Sequence, residues 1–156
     1  MPGAPDGEYA VIHYTTSFKE KTITERLTLA KEVKPFDYLA IDAFSSDAVP
    51  MHLLTVEALD LYLSKLAPDG LLALHVSNRH LNLVSVVAAT AGTRPGIKAV
   101  LAEDRFATDT PDKLPSLVVY LSRSETTLAE VRKLRFAKPM PPSTLTPWAD
   151  DFGNIL

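Results

Sequence analysis

Two near-continuous apolar runs, "FDYLAID" (36–42) and "LLALHVSN" (71–78), constrain this chain most, because a helix-length stretch, "MHLLTVEALDLYLSKLAPDG", lies between them. A strand with one wet face alternates apolar and polar side chains. A run that hardly alternates needs cover on both faces, which is the habit of strands in sheets flanked by helices. Two such runs joined by one helix predict a right-handed crossover between parallel strands.

The remainder extends the same alternation. "EYAVIHY" (8–14) reads as a short strand, and "ITERLTLAKEV" sets Ile23, Leu27 and Ala30 at helical spacing behind a Thr24 cap. Pro50 is expected to open the next helix, with Leu54, Ala58, Leu61 and Leu66 on its apolar face. Gly70 suits a left-handed turn past that helix's end. "LNLVSVVAATAG" predicts a small-residue helix closed by Gly92, and "SETTLAEVRKL" one capped by Ser124. "IKAVLAED" and "LPSLVVYLSR" read as strands with no evident helix between them, which predicts an antiparallel edge hairpin. The expected fold is α/β, a mostly parallel sheet with helices on both faces and that hairpin at its edge. Its expected organisation is a divergent N-terminal segment over 1–24, a domain over 25–137, and a proline-rich tail over 138–156 packed on the domain.

A length of 156 residues with 46% hydrophobic content suits one core. The formal net charge of -3, without clustered Lys or Arg, argues against nucleic acid as a partner and permits a cationic ligand. Zero cysteines exclude a disulfide framework and a thiolate nucleophile. No run approaches the roughly 20 apolar residues of a membrane span, and "MPGAPDGEYAV" lacks the pattern of a signal peptide. The expected setting is the cytoplasm.

In open α/β sheets ligands bind outside the carboxyl ends of the strands, the edge where Asp42 and Asn78 fall. Asp47 follows Asp42 across a turn containing Ser46. Both acids fit two roles, turn and cap formation or a carboxylate pair that binds a cation or accepts a proton. His52 heads the helix after Pro50, His80 lies in the second mouth loop, and His75 reads as a core or strand-face histidine. No two histidines have the i, i+4 metal spacing, so no metal is expected. Ser45, Ser46 and Ser77 lie outside any G-x-S-x-G, and the six glycines form no phosphate-binding loop. In the tail, Trp148, Asp150 and Asp151 fit either a segment pinned to the body by its aromatics or an acidic lid over the mouth.

"FDYLAIDAFSSDAVPMHLLT", "LYLSKLAPDGLLALHVSNRHLNL" and "WADDFGNIL" together resemble the spermidine synthase-like proteins, the polyamine aminopropyltransferase family. The resemblance runs over about residues 25 to 156, the C-terminal half of a Rossmann-like (S-adenosylmethionine methyltransferase-like) fold. It implies Asp42 as the catalytic acid/base and Asp47 as the amine anchor. Ser46, His52, Asn78, Asp150 and Asp151 join the substrate side, and Glu25 and Ala43 the cofactor side. It also implies decarboxylated S-adenosylmethionine as cosubstrate, no tightly bound cofactor, a polyamine or nucleoside ligand, and a homodimer. The family's glycine-rich loop and ribose-binding acid have no counterpart in residues 1–24, so the N-terminal part is expected to be truncated or divergent. The same resemblance allows two other outcomes, a catalytically inactive remnant acting as a dimerisation or interaction module, and a methyltransferase-like protein.

Overall fold

Strand β2 (Phe36–Asp42) buries Leu39 and Ile41 on one side and turns Tyr38, Ala40 and Asp42 to the other. Strand β3 (Leu66–His75) pairs with it in parallel, setting Leu72 beside Leu39 and Leu74 beside Ile41. The two apolar runs therefore build one buried ridge across adjacent strands. These elements belong to a computed structural model that describes residues 9–13, 35–43, 50–78, 80–104 and 116–151.

The other elements follow in chain order. Strand β1 (Tyr9–His13) precedes β2, and helix α1 (Val56–Lys65) links β2 to β3. Helix α2 (Leu83–Gly92), strands β4 (Lys98–Asp104) and β5 (Ser116–Ser122), helix α3 (Glu125–Val131) and strand β6 (Ala137–Pro139) complete the series. They form a six-stranded sheet of order β1-β2-β3-β5-β4-β6. Strand β1 runs parallel to β2, so part of the 1–24 segment belongs to the sheet, and the expected boundary at 137/138 falls inside β6.

The α/β class holds, with one correction to the sheet. It is mixed rather than mostly parallel, because β5 runs antiparallel to both β3 and β4, and β6 runs antiparallel to β4. Strand β5 also lies inside the sheet, not at its edge. Its run "LVVYL" is apolar on both sides and gains most where both faces are covered. The edge falls to β6, which is three residues long and ends in Pro139, a residue compatible with an edge.

Helices cover both faces. Leu59, Tyr62 and Leu63 of α1, with Leu83, Val84, Val86 and Val87 of α2, pack on the Leu39–Leu72–Leu121 side. Leu128 and Val131 of α3 pack on Val100, with Leu71 and Tyr120, on the other. Pro50 does not open α1. Met51–Leu53 form a short 3-10 turn, and Thr55 caps the helix by accepting the Ala58 N–H at 3.2 Å. Leu61, expected on the packed face, is 39% exposed, because the buried stripe is Leu59, Tyr62, Leu63. Asn82 and Ser124 cap α2 and α3 in the same way, accepting from Ser85 and Thr127.

Gly70 is part of β3, not a left-handed turn. A Cβ there would come within 2.8 Å of the Phe36 carbonyl oxygen, where the β2–β3 register shifts between Phe36 and Tyr38. Its small size serves a close backbone approach. Its carbonyl accepts the hydroxyl of Ser122, a fully buried residue that also receives the Ser124 N–H. Burial likewise pushes the Tyr62 hydroxyl up, and that group donates to the Leu53 carbonyl at 3.2 Å. On the surface, Arg94 grips Asp60 through two bonds of 2.5 and 2.7 Å and holds its carboxyl below the usual range. Among the described residues no helix is long and apolar enough to cross a membrane.

The proline-rich segment ends on Trp148, which is 2% exposed and belongs to the main core. Its carbonyl accepts the Val56 N–H at 2.9 Å, so it also serves a free amide in the first turn of α1. Trp148→Ala should cost about 3–5 kcal/mol, the usual range for emptying a large aromatic site. Leu145→Ala, at a 39% exposed position three residues earlier, should cost less than about 1 kcal/mol. Urea unfolding of the two variants checks the contrast.

Candidate functional site

Parallel strands β2 and β3 end side by side, and their last residues are Asp42 and His75. Ile41 pairs with Leu74, so the next step in register places Asp42 beside His75. Asp42 shares the face of Tyr38 and Ala40, and His75 that of Leu71 and Ala73, by the two-residue period of a strand. The side chains meet, His75 Nδ1 lying 2.6 Å from Asp42 Oδ1.

The contact continues in a line. His75 Nε2 lies 2.8 Å from Ser77 Oγ, and Ser77 Oγ in turn receives the Leu117 N–H of β5 at 2.8 Å. Ser116 Oγ stands at 3.5 Å from the same Nε2, a longer contact at the limit of a hydrogen bond. The Val76 N–H donates to the Leu117 carbonyl at 2.8 Å, which fixes the backbone between His75 and Ser77 against β5.

Proton directions follow from the donor inventory. An ionised carboxylate only accepts, so opposite one the Nδ1 contact is an N–H given to Oδ1. In the neutral imidazole of that tautomer Nε2 presents a lone pair, to which the Ser77 hydroxyl donates. In that tautomer Leu117 N–H to Ser77, Ser77 O–H to His75 and His75 N–H to Asp42 all point one way. The chain ends on a carboxylate whose side chain is 55% exposed, against 37% for His75. Oδ2 bonds to none of the described residues.

The other expected site residues take structural roles, stand exposed or next to Asp42, or lie outside the described residues. Asn78 uses its side-chain oxygen to accept the backbone N–H groups of His80 and Leu81, at 2.8 and 2.9 Å, which shapes the bend after β3. Asp150 accepts the Thr55 hydroxyl at 2.8 Å, and its own N–H donates to Glu57 Oε2 at 3.1 Å. It is therefore a latch between tail and α1, and Asp151 beside it is exposed. His52 is exposed in the 3-10 turn, where its carbonyl accepts the Thr55 hydroxyl. Ala43, 9% exposed, follows Asp42 directly. Glu25, Ser46 and Asp47 lie outside the described residues.

Any site role for His75 and Ser77 escaped the sequence reading. Of the two placements expected for His75, core or strand face, the structure gives the strand face, partly exposed at the end of β3 against an acid. The available signal was the i, i+2 spacing of "HVS", which puts both side chains on one side of an extended backbone.

A cleft of about 420 Å³ opens between the start of α2 and the tail, lined by residues that include Leu81, Leu83, Val86, Pro142, Leu145 and Trp148. None of its lining residues belongs to the Asp42–His75–Ser77 chain. Asp104, at the end of β4, has a buried Oδ1 without a hydrogen-bond partner among the described residues. Among the described residues no group of three or more His, Asp or Glu side chains is placed to hold a metal ion. No family model and no curated protein matches the chain.

The latch role of Asp150 carries an expectation. Asp150→Ala should lower stability by about 1–2 kcal/mol through the lost bond to Thr55. The urea midpoint of the variant against that of the parent checks it.

Proposed function

We propose that the chain is a spermidine synthase-like domain in which Asp42 binds and deprotonates an amine. The observation that carries this reading is the half-exposed Asp42 carboxylate at the carboxyl edge of β2, held through Oδ1 by His75 while Oδ2 bonds to none of the described residues. Aminopropyl transfer needs such a group. A free alkylamine titrates near 10, as lysine does, and is inert as a nucleophile until it loses a proton. A carboxylate first attracts the ammonium and then takes the proton. The freed amine nitrogen attacks the methylene next to the sulfonium of decarboxylated S-adenosylmethionine. A C–N bond forms, the C–S bond breaks, and methylthioadenosine leaves as a neutral thioether.

Further support comes from the placing of strands. Asp42 ends a strand inside the sheet, between β1 and β3, at the edge where ligands of α/β sheets bind. The reading brings with it a Rossmann-like identity for the sheet, Asp47 and Ser46 as the amine's second contact, and a cytoplasmic homodimer with no nucleic-acid partner. The inactive-module alternative keeps the Asp42–His75 pair without ligand.

Calorimetric titration with putrescine, methylthioadenosine and decarboxylated S-adenosylmethionine tests it. Saturable diamine binding is expected, weakened about 10-fold or more in Asp42→Asn, as for loss of one hydrogen bond to a charged group. Absence of heat with all three ligands, or an Asp42→Asn variant that binds like the parent, would overturn it.

A further inference from the structure

We propose that His75 is a positioning residue for the amine ligand, acting through Asp42, and that Ser77 fixes the imidazole tautomer this requires. The inference rests on the amine-binding reading of Asp42, and its central measurement is independent of any ligand.

A carboxylate, an imidazole and a hydroxyl in line also form the constellation of nucleophilic serine enzymes. The gradient of exposure here runs the other way. In those enzymes the carboxylate is buried and the hydroxyl faces the substrate. In this chain Asp42 is the open end, at 55% exposure, and His75 follows at 37%. Ser77 is the anchored end, its oxygen already accepting the Leu117 N–H at 2.8 Å. That bond draws on the lone pairs a nucleophile would use. The line is built to present the carboxylate and not the hydroxyl.

Its effect on the ligand follows from geometry. With Nδ1–H bonded to Oδ1 at 2.6 Å, the half-exposed Asp42 carboxylate is held against rotation and Oδ2 is left outside that bond. An approaching ammonium meets one oriented acceptor in place of a freely turning group, so less ordering accompanies binding. The arrangement fails if the proton moves to Nε2. Nδ1 and Oδ1 would then face each other lone pair to lone pair, and the carboxylate would turn away. Two groups oppose that shift, Asp42 by accepting at Nδ1 and Ser77 by donating at Nε2. The Leu117 N–H fills one lone pair of the Ser77 oxygen, holds that oxygen in place, and leaves its O–H to donate at Nε2.

Long-range nitrogen–proton NMR of the full chain at about pH 9, above the ordinary histidine range, reads the tautomer directly. His75 should show a protonated Nδ1 and an unprotonated Nε2. Ser77→Ala should raise the Nε2–H population measurably, and Ser77→Thr should restore the parent pattern. In putrescine titrations His75→Ala should weaken binding about 5-fold or more, the loss of one bond to a charged acceptor. His75→Gln, which keeps an amide donor for Oδ1, should stay closer to the parent. Thermal midpoints of the four variants identify any that merely unfold, and Ser77→Thr with His75→Gln keep the test valid in that event. A parent His75 protonated at Nε2, or a Ser77→Ala spectrum identical to the parent, would overturn the proposal. If putrescine fails to bind the parent while the Ser77-dependent tautomer is present, the amine reading fails and the positioning of Asp42 by His75 stands.

Discussion

The insertion of β5 between β3 and β4 is the constraint on which both the core and the site depend. Strand β5 pairs along its length with β4 and over Val118–Leu121 with β3, and Val119, Leu121 and Ser122 on it are fully buried. Each large apolar side chain so placed contributes about 1.5–3 kcal/mol. The pairing also satisfies the backbone of β3, whose edge would otherwise be open to other chains. Because β5 runs opposite to β3, its first residues stand where β3 ends. Leu117 therefore delivers its N–H to Ser77, and its carbonyl to Val76, at the carboxyl edge of the sheet.

From that edge the order passes outward through side chains. Ser77 is fixed by backbone, His75 by Ser77, and Asp42 by His75, each through a contact of 2.6 to 2.8 Å. The tail makes a separate attachment. Trp148 fills the core on the α1–α2 side, and Asp150 bonds the cap residue Thr55. The acids of the tail and the acid of the site thus serve different ends. Asp150 stabilises the start of α1, while Asp42 is the carboxylate at the open end of its chain.

The sequence made the α/β class legible because apolar runs without alternation occur only where both faces are covered. "FDYLAID" and "LLALHVSN" lie where that reasoning puts them, and Ser124 caps the helix it was expected to cap. Strand order was not legible in the same way. A run such as "LVVYL" states that it is buried on both faces but not which neighbours bury it, so the hairpin was expected at the edge. Gly70 misled for a related reason. Glycine marks both left-handed turns and close backbone contacts, and only the Phe36 carbonyl beside it decides between them. Asp42 could be chosen from its place at a strand end. For His75 and Ser77 the "HVS" spacing was a signal but did not suffice, because their role depends on Leu117, forty residues further along the chain from Ser77.

The central claim is that Asp42 and His75 act on a ligand as one unit, since His75 has no reason of its own to touch the amine. A double-mutant cycle on putrescine affinity measures this, using Asp42→Asn, His75→Ala and the combination. Coupling of about 1 kcal/mol or more is the expected result, because loss of Asp42 leaves His75 nothing to position. Effects that add within about 0.3–0.5 kcal/mol would show two independent residues and contradict the account.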